Sequence, residues 1–292
     1  MAKSRKVKKI TVGKVIGMIY IVFNIVIMLY PLFFMFMSSF KTNSEIEVTP
    51  FAFPHGFSTF AQNVKNVWNG RIGYIRLTPF ITMLGNTIFL TALSLVGLLI
   101  CATLCAYALG RLRFRGKSII MAIVLLTQAV PFFGYITPMF YAMHHVGLTD
   151  SLMGVVPVYI AVSIPSAVVL MVGFFQAFPK EVEEAALIDG CNEFTKFLFI
   201  VTPMSVGIIG SMAVINFMGF WNEFAIANLL LKTPRLNTIN MGVFALKTQM
   251  GGTGKKDYIM TLLTLSALPN LVFFTILQKG IINGISLGAV KG

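Results

Sequence analysis

The constraint that dominates this chain is a set of long stretches without a single Asp, Glu, Lys or Arg. Between Lys14 and Lys41 lie 26 such residues, between Arg76 and Arg111 there are 34, and between Lys117 and Asp150 there are 32. Asp150 to Lys180 encloses 29, Lys196 to Glu223 encloses 26, and Tyr258 to Gln278 provides 21. A hydrocarbon layer about 30 Å thick is crossed by roughly 20 apolar helical residues. The spacing predicts an all-α, polytopic membrane protein with six transmembrane helices over 15–40, 80–110, 118–143, 151–175, 200–222 and 258–280. The run 224–231 is too short to cross and reads as a re-entrant or surface piece. The first stretch exceeds the roughly 7–15 apolar residues of a signal core, and no small-x-small cleavage site follows it, so it reads as a retained anchor.

Composition closes the alternatives. Hydrophobic residues are 57 % of the chain and charged residues 11 %, against roughly 45–50 % and about 25 % in soluble domains. Too few polar residues remain to cover a water-soluble globule. The net charge of +13 on so apolar a chain points to anionic lipid headgroups, not to nucleic acid. Cys101, Cys105 and Cys191 are odd in number and contain no CxxC, so they form neither a disulfide framework nor a zinc site. With His55, His144 and His145 as the whole histidine complement, no metal centre is expected.

Orientation follows from the basic residues of short loops. Residues 1–14 carry Lys3, Arg5, Lys6, Lys8, Lys9 and Lys14, and the turn after the second span carries Arg111, Arg113, Arg115 and Lys117. The short connection around Asp150 carries none. Both termini are therefore expected on the cytoplasmic side. Two longer loops, about 39–79 and 223–257, then lie outside, with Trp68, Tyr74 and Trp221 at their edges. Lys255 and Lys256 run against this assignment.

Five of the ten acidic residues, Glu181, Glu183, Glu184, Asp189 and Glu193, fall within thirteen positions. They lie in the cytoplasmic loop 178–199. Pro179 suits a helix start, the acids suit the positive end of the helix dipole, and Gly190 suits the position after the last turn. A helix over 179–189 follows, and Asn192 is placed to cap a second one leading into the fifth span. Pro203 is expected to kink that entry. An acidic helix held between two spans is a candidate docking lever for a partner protein.

At this loop the sequence resembles a known family. Glu184-Ala185-Ala186, Asp189-Gly190, Ile200 and Pro203 look like the EAA signature of binding-protein-dependent ABC importer permeases, with Thr202 in place of the usual Leu. Trp221-Asn222-Glu223-Phe224 and the ending Gly288-Ala289-Val290-Lys291-Gly292 resemble the carbohydrate subclass, in its shorter maltose-type permease. The resemblance implies that Glu181, Glu184, Ala185, Ala186, Leu187, Asp189, Gly190 and Phe194 couple to a dimeric cytoplasmic ATPase. It implies that Gly288, Val290, Lys291 and Gly292 extend toward that ATPase, and that the outer loop with Gly251, Gly252, Thr253 and Gly254 reaches an extracellular sugar-binding protein. A second homologous permease would complete a heterodimer in a bacterial or archaeal inner membrane. The chain would hold no catalytic residue and no cofactor, with ATP and Mg used by the ATPase. Its cargo would be a di- or oligosaccharide.

Polar residues inside the spans, Gln128, Tyr135, Asn216, Trp221 and Asn222, are candidates for the substrate path. An amide in a span equally serves interhelical hydrogen bonding. Gly110 to Ser118 imitates a phosphate loop, but five residues separate its glycines where that motif has four. Two other readings stay open. One is an ion-coupled secondary transporter, against which the spans' lack of Asp and Glu argues. The other is an ABC permease for a non-sugar polar solute.

Overall fold

The computed structural model describes residues 12–72, 75–249 and 256–289. Among the described residues, four helices are long and apolar enough to cross a membrane: α1 (Val12–Ser38), α4 (Phe80–Arg111), α7 (Leu152–Ala177) and, over Lys256–Thr275, α14 (Lys256–Ala289). Two bent pairs raise the number of spans to as many as six.

The bent pairs differ from the single helices expected over 118–143 and 200–222. In the first, α5 (Lys117–Thr127) and α6 (Phe132–His145) meet at 105°. Pro131 stands at the break with ψ 143°. It has no N–H to donate back to Thr127, and its ring disfavours helical backbone at Val130. In the second, a helical segment over Glu193–Met204 meets α11 (Val206–Asn222) at 72°. That segment comprises α9 (Glu193–Lys196), a π turn over Phe197–Val201 and α10 (Thr202–Met204). In the π turn the Thr202 N–H reaches back five residues to the Phe197 carbonyl. Such a bulge absorbs the hydrogen bond that Pro203 cannot make. Proline alone does not break a span here, since Pro157 and Pro165 both lie within the continuous α7.

The chain divides into two compact units. One comprises residues 1–67 and 246–265, the other 68–245 and 266–292. In the first, α2 (Asn43–Val48) begins at a capping box in which Thr42 and Glu45 satisfy each other's backbone donors. The Asn66 side-chain amide, on α3 (Ser58–Trp68), donates to the Tyr258 hydroxyl at 2.9 Å, and the Lys256 N–H donates to Asn43 Oδ1 at 2.8 Å.

The second unit carries the main core. Leu98, Ala102 and Ala106 of α4 are buried with Val155, Val168, Met171 and Phe175 of α7. Small residues bring the two backbones close: a Cβ added at Gly110 would stand 2.8 Å from the Phe175 Cβ. A short antiparallel hairpin pairs β1 (Arg71–Ile72) with β2 (Ile75–Arg76) ahead of α4. After α11 come α12 (Ala225–Leu230) and α13 (Ile239–Gln249). The six residues of α12 are too few to cross a membrane, as the sequence indicates.

Candidate functional site

The acidic segment folds as α8 (Lys180–Ile188), one residue shorter at each end than expected. Pro179 is its N-cap, not its first helical residue. Glu181 and Glu183 occupy the first turn, where the helix dipole favours negative charge. The C-terminus closes in a full Schellman motif. The Cys191 N–H donates to the Ala186 carbonyl at 3.0 Å and the Gly190 N–H to the Leu187 carbonyl at 3.1 Å. Gly190 carries φ +82° with open space around its Cα, so backbone conformation alone demands glycine there. Asn192 then caps α9, its Oδ1 accepting from the Thr195 N–H at 2.8 Å.

One face of α8 is fastened to the bundle. Ala186 is buried at 2 % exposure, Val182 packs on the main core, and Glu183 turns inward. Arg111, at the end of α4, donates from Nε to Glu183 Oε1 at 2.7 Å. Lys196 Nζ lies 2.9 Å from Glu193 Oε1 and 3.9 Å from Glu183 Oε2. The Tyr107 hydroxyl donates to Glu193 Oε2 at 3.3 Å. Arg111, Lys196 and Glu183 keep only 8 %, 4 % and 13 % side-chain exposure. Arg111 and Lys196 thus offset the inward-facing Glu183, as largely buried charges require. The cluster places the basic turn and the acidic helix at one end of the bundle, in accord with their assignment to the same membrane side.

The other face is free. Glu181, Glu184, Ala185, Asp189 and Gly190 are exposed, together with Leu187 at 50 %, Ile188 at 87 % and Phe194 at 68 %. Of the eight residues expected to couple, Ala186 is the exception: its small side chain lets α8 lie close on the bundle. The sequence missed Glu183, Arg111, Lys196 and Tyr107. A cue existed, because a basic turn and an acidic loop on one side are natural partners. Nothing local says which acid turns inward.

The expected substrate-path residues lie on three elements: Gln128 ends α5, Tyr135 is on α6, and Asn216, Trp221 and Asn222 are on α11. Asn216 and Asn222 each donate to a carbonyl one turn back, Met212 at 2.9 Å and Met218 at 2.8 Å. Trp221 is buried and stacks on Phe217. Gln128 caps α5 at its break. Tyr135 lines a cavity of about 570 Å³, with Thr127, Met139, Pro157 and Pro165 among its walls. That cavity is largely apolar. Of the expected tail contacts, Gly288 lies in the last turn of α14, while Val290, Lys291 and Gly292 fall outside the described residues, as do Gly251, Gly252, Thr253 and Gly254.

At the far end, polar side chains of the spans hold the segment after α11. Glu223 accepts from the Tyr159 hydroxyl at 2.7 Å and from the Ile226 and Ala227 N–H groups at 2.7 and 3.1 Å, capping α12. Asp150 accepts from the Lys232 and Thr233 N–H groups, both at 2.8 Å, and from the Thr233 hydroxyl at 2.6 Å. These bonds, the Thr233 hydroxyl's first, hold the Asp150 carboxyl below its ordinary value. The Asn86 amide donates to the Arg235 and Asn237 carbonyls at 2.9 and 3.0 Å.

Comparison with known proteins gives this geometry its setting. The family described as "Binding-protein-dependent transport system inner membrane component" matches residues 99–287. The chain is 30 % identical to a putative ABC transporter permease protein, ORF2, of Caldicellulosiruptor sp. (strain Rt8B.4), over 90 % of this chain and 91 % of that one. It is 28 % identical to the galactooligosaccharides transport system permease protein GanQ of Bacillus subtilis (92 % and 93 % covered). It is 27 % identical to the diacetylchitobiose uptake system permease protein NgcG of Streptomyces coelicolor (91 % and 85 % covered). The fold is shared with a bacterial ABC transporter involved in importing the acidic polysaccharide alginate, at TM-score 0.77, 19 % identity and coverage of 92 % and 96 %. The chain is a multi-pass protein of the cell membrane and belongs to the family of binding-protein-dependent transport system inner membrane components.

Proposed function

We propose that this chain is one permease subunit of an ATP-driven importer that moves a di- or oligosaccharide across the cell membrane by alternating access. Six spans, with both bent pairs crossing as units, leave the N- and C-termini and α8 in the cytoplasm. A dimeric ABC ATPase docks on α8, a second homologous permease completes the path, and an extracellular binding protein delivers the sugar. The chain contributes no catalytic group. ATP and Mg are used by the ATPase.

The observation that carries this reading is the division of α8 into a fastened face and a free one. Force applied at Leu187 or Ile188 passes through a helix whose inward-facing Glu183 is tied to Arg111 at the end of α4 and lies beside Lys196 at the entry to the fifth span. A loosely held helix would dissipate that force. The carbohydrate assignment draws support from relatives named for galactooligosaccharides and diacetylchitobiose.

Copurification from the native membrane, followed by mass spectrometry and reconstitution, is the test. An ATPase, a second permease and a sugar-binding protein in one particle, with ATP-dependent sugar uptake, is the expected result. A homodimer with ion-driven flux would sink the proposal. Within the active particle, Gly190→Pro and Glu184→Lys are expected to reduce uptake and ligand-stimulated ATPase together. Removal of Lys291 and Gly292 is expected to alter ATPase coupling without loss of folding.

A further inference from the structure

The segment between α2 and α3 has no part in the coupling just described. Residues 48–57 read Val-Thr-Pro-Phe-Ala-Phe-Pro-His-Gly-Phe, with no Asp, Glu, Lys or Arg. Phe51, Phe53 and Phe57 are exposed at 79 %, 76 % and 77 %, and Val48 at 76 %. Three phenyl rings on one short loop form an apolar patch that water solvates poorly.

The loop is held in place. Lys41, three residues past the end of α1, is 1 % exposed. Its ammonium donates to the Thr49 and Pro50 carbonyls at 3.0 and 2.7 Å. This clamp lays the start of the loop back along α1. The Phe51 ring packs on Phe34 with centroids 6.2 Å apart, and Phe57 packs edge-on against Phe40 at 5.3 Å. Phe34 precedes the last residue of α1 by four positions, about 6 Å along the helix. Phe51 therefore sits beside a residue within the span, not beyond its end.

The surface it joins is apolar. Tyr30, Phe33 and Phe36 of α1 are all about half exposed, and the most hydrophobic window of that span buries none of its residues within the structure. The rings extend this surface. On the neighbouring α2, Glu45 pairs with His55. The Glu45 carboxyl is held down to about 2, first by the Thr42 N–H and then by His55, so a permanent anion marks the polar rim.

We propose that the loop over residues 49–57, clamped by Lys41, is an interfacial membrane anchor whose Phe51, Phe53 and Phe57 rings insert into the lipid leaflet at the C-terminal end of α1. Lipid is the occupant because the patch continues a span surface at span depth and its exposed phenyl rings are uncharged.

Depth-dependent quenching tests it. Phe53→Trp is prepared in the full chain with whatever subunits copurify, in phosphatidylcholine nanodiscs. The added emission is taken over that of the unsubstituted protein. Lipid brominated near the headgroup end of its chains should remove most of the added emission, and aqueous iodide little of it. Quenching by iodide but not by lipid bromine would place the loop in water and overturn the anchor. Protection from both would mean that protein covers it, which overturns the anchor equally. Lys41→Met, combined with Phe53→Trp, should lose much of the bromine quenching. Unchanged quenching would overturn the clamp.

Discussion

Arg111 and Glu183 stand 72 positions apart and meet through an Nε–H···Oε1 bond of 2.7 Å. One closes a long span, the other opens the acidic helix. Their pairing makes α8 an extension of α4, which is itself packed along α7.

Arg111→Ala should destabilise the protein by about 3–5 kcal/mol, because it strands a largely buried carboxylate. Lys196, 3.9 Å from Glu183, is too distant to replace the lost hydrogen bond. Replacing both partners together, Arg111→Gln with Glu183→Gln, should recover part of the loss. Thermal unfolding of the detergent-solubilised protein measures both, and equal losses would show that the pair is not coupled.

Gly190→Ala places a side chain at φ +82° and should cost about 1–2 kcal/mol. Gly190→Asn should cost less, since asparagine tolerates the left-handed region. The order glycine, asparagine, alanine in unfolding temperature checks this. An alanine variant as stable as the parent would remove the conformational argument.

Ile188→Glu alters a side chain that is 87 % exposed. Its effect on folding should stay within about 0.5 kcal/mol, while ATPase copurification falls. Retained copurification at normal stability would take Ile188 out of the docking face.

Asp150 governs a pH-dependent contact. Its folded-state carboxyl lies below the ordinary 3.8. The contribution is therefore complete above that value and disappears as pH falls through the lower, folded one. The Lys232 and Thr233 amides, which it accepts at 2.8 Å, should remain protected from hydrogen exchange at neutral pH. Asp150→Ala should expose both to faster exchange there, with amides in α7 unaffected. Unchanged protection would show that the clamp is dispensable.

Local chemistry made much of the architecture readable. Charge-free stretches as long as a bilayer is thick have one stable use, so the positions of the spans followed from where charge is absent. The acidic helix was bracketed by Pro179 and Gly190, whose own backbone limits start and stop a helix wherever they occur. Asn192 announced the next helix by the same logic.

Other features depend on what comes into contact. Pro131 stands at a break and Pro203 two residues before one, while Pro157 and Pro165 lie within the continuous α7. Pro31 and Pro269 likewise lie within continuous helices, so the proline ring by itself does not set where a helix breaks. Asn216 and Asn222 each donate to a carbonyl of their own helix, where the sequence offered an interhelical bond or a solute contact. Among five neighbouring acids, only a partner distant in sequence decided that Glu183 turns inward while Glu181 and Glu184 remain in solvent. The sequence alone determined where the long charge-free stretches and the acidic helix lie, because those follow from each residue's own solvation and backbone preference. The tertiary structure decided which helices bend and which charges pair, because those energies belong to contacts between residues far apart along the chain.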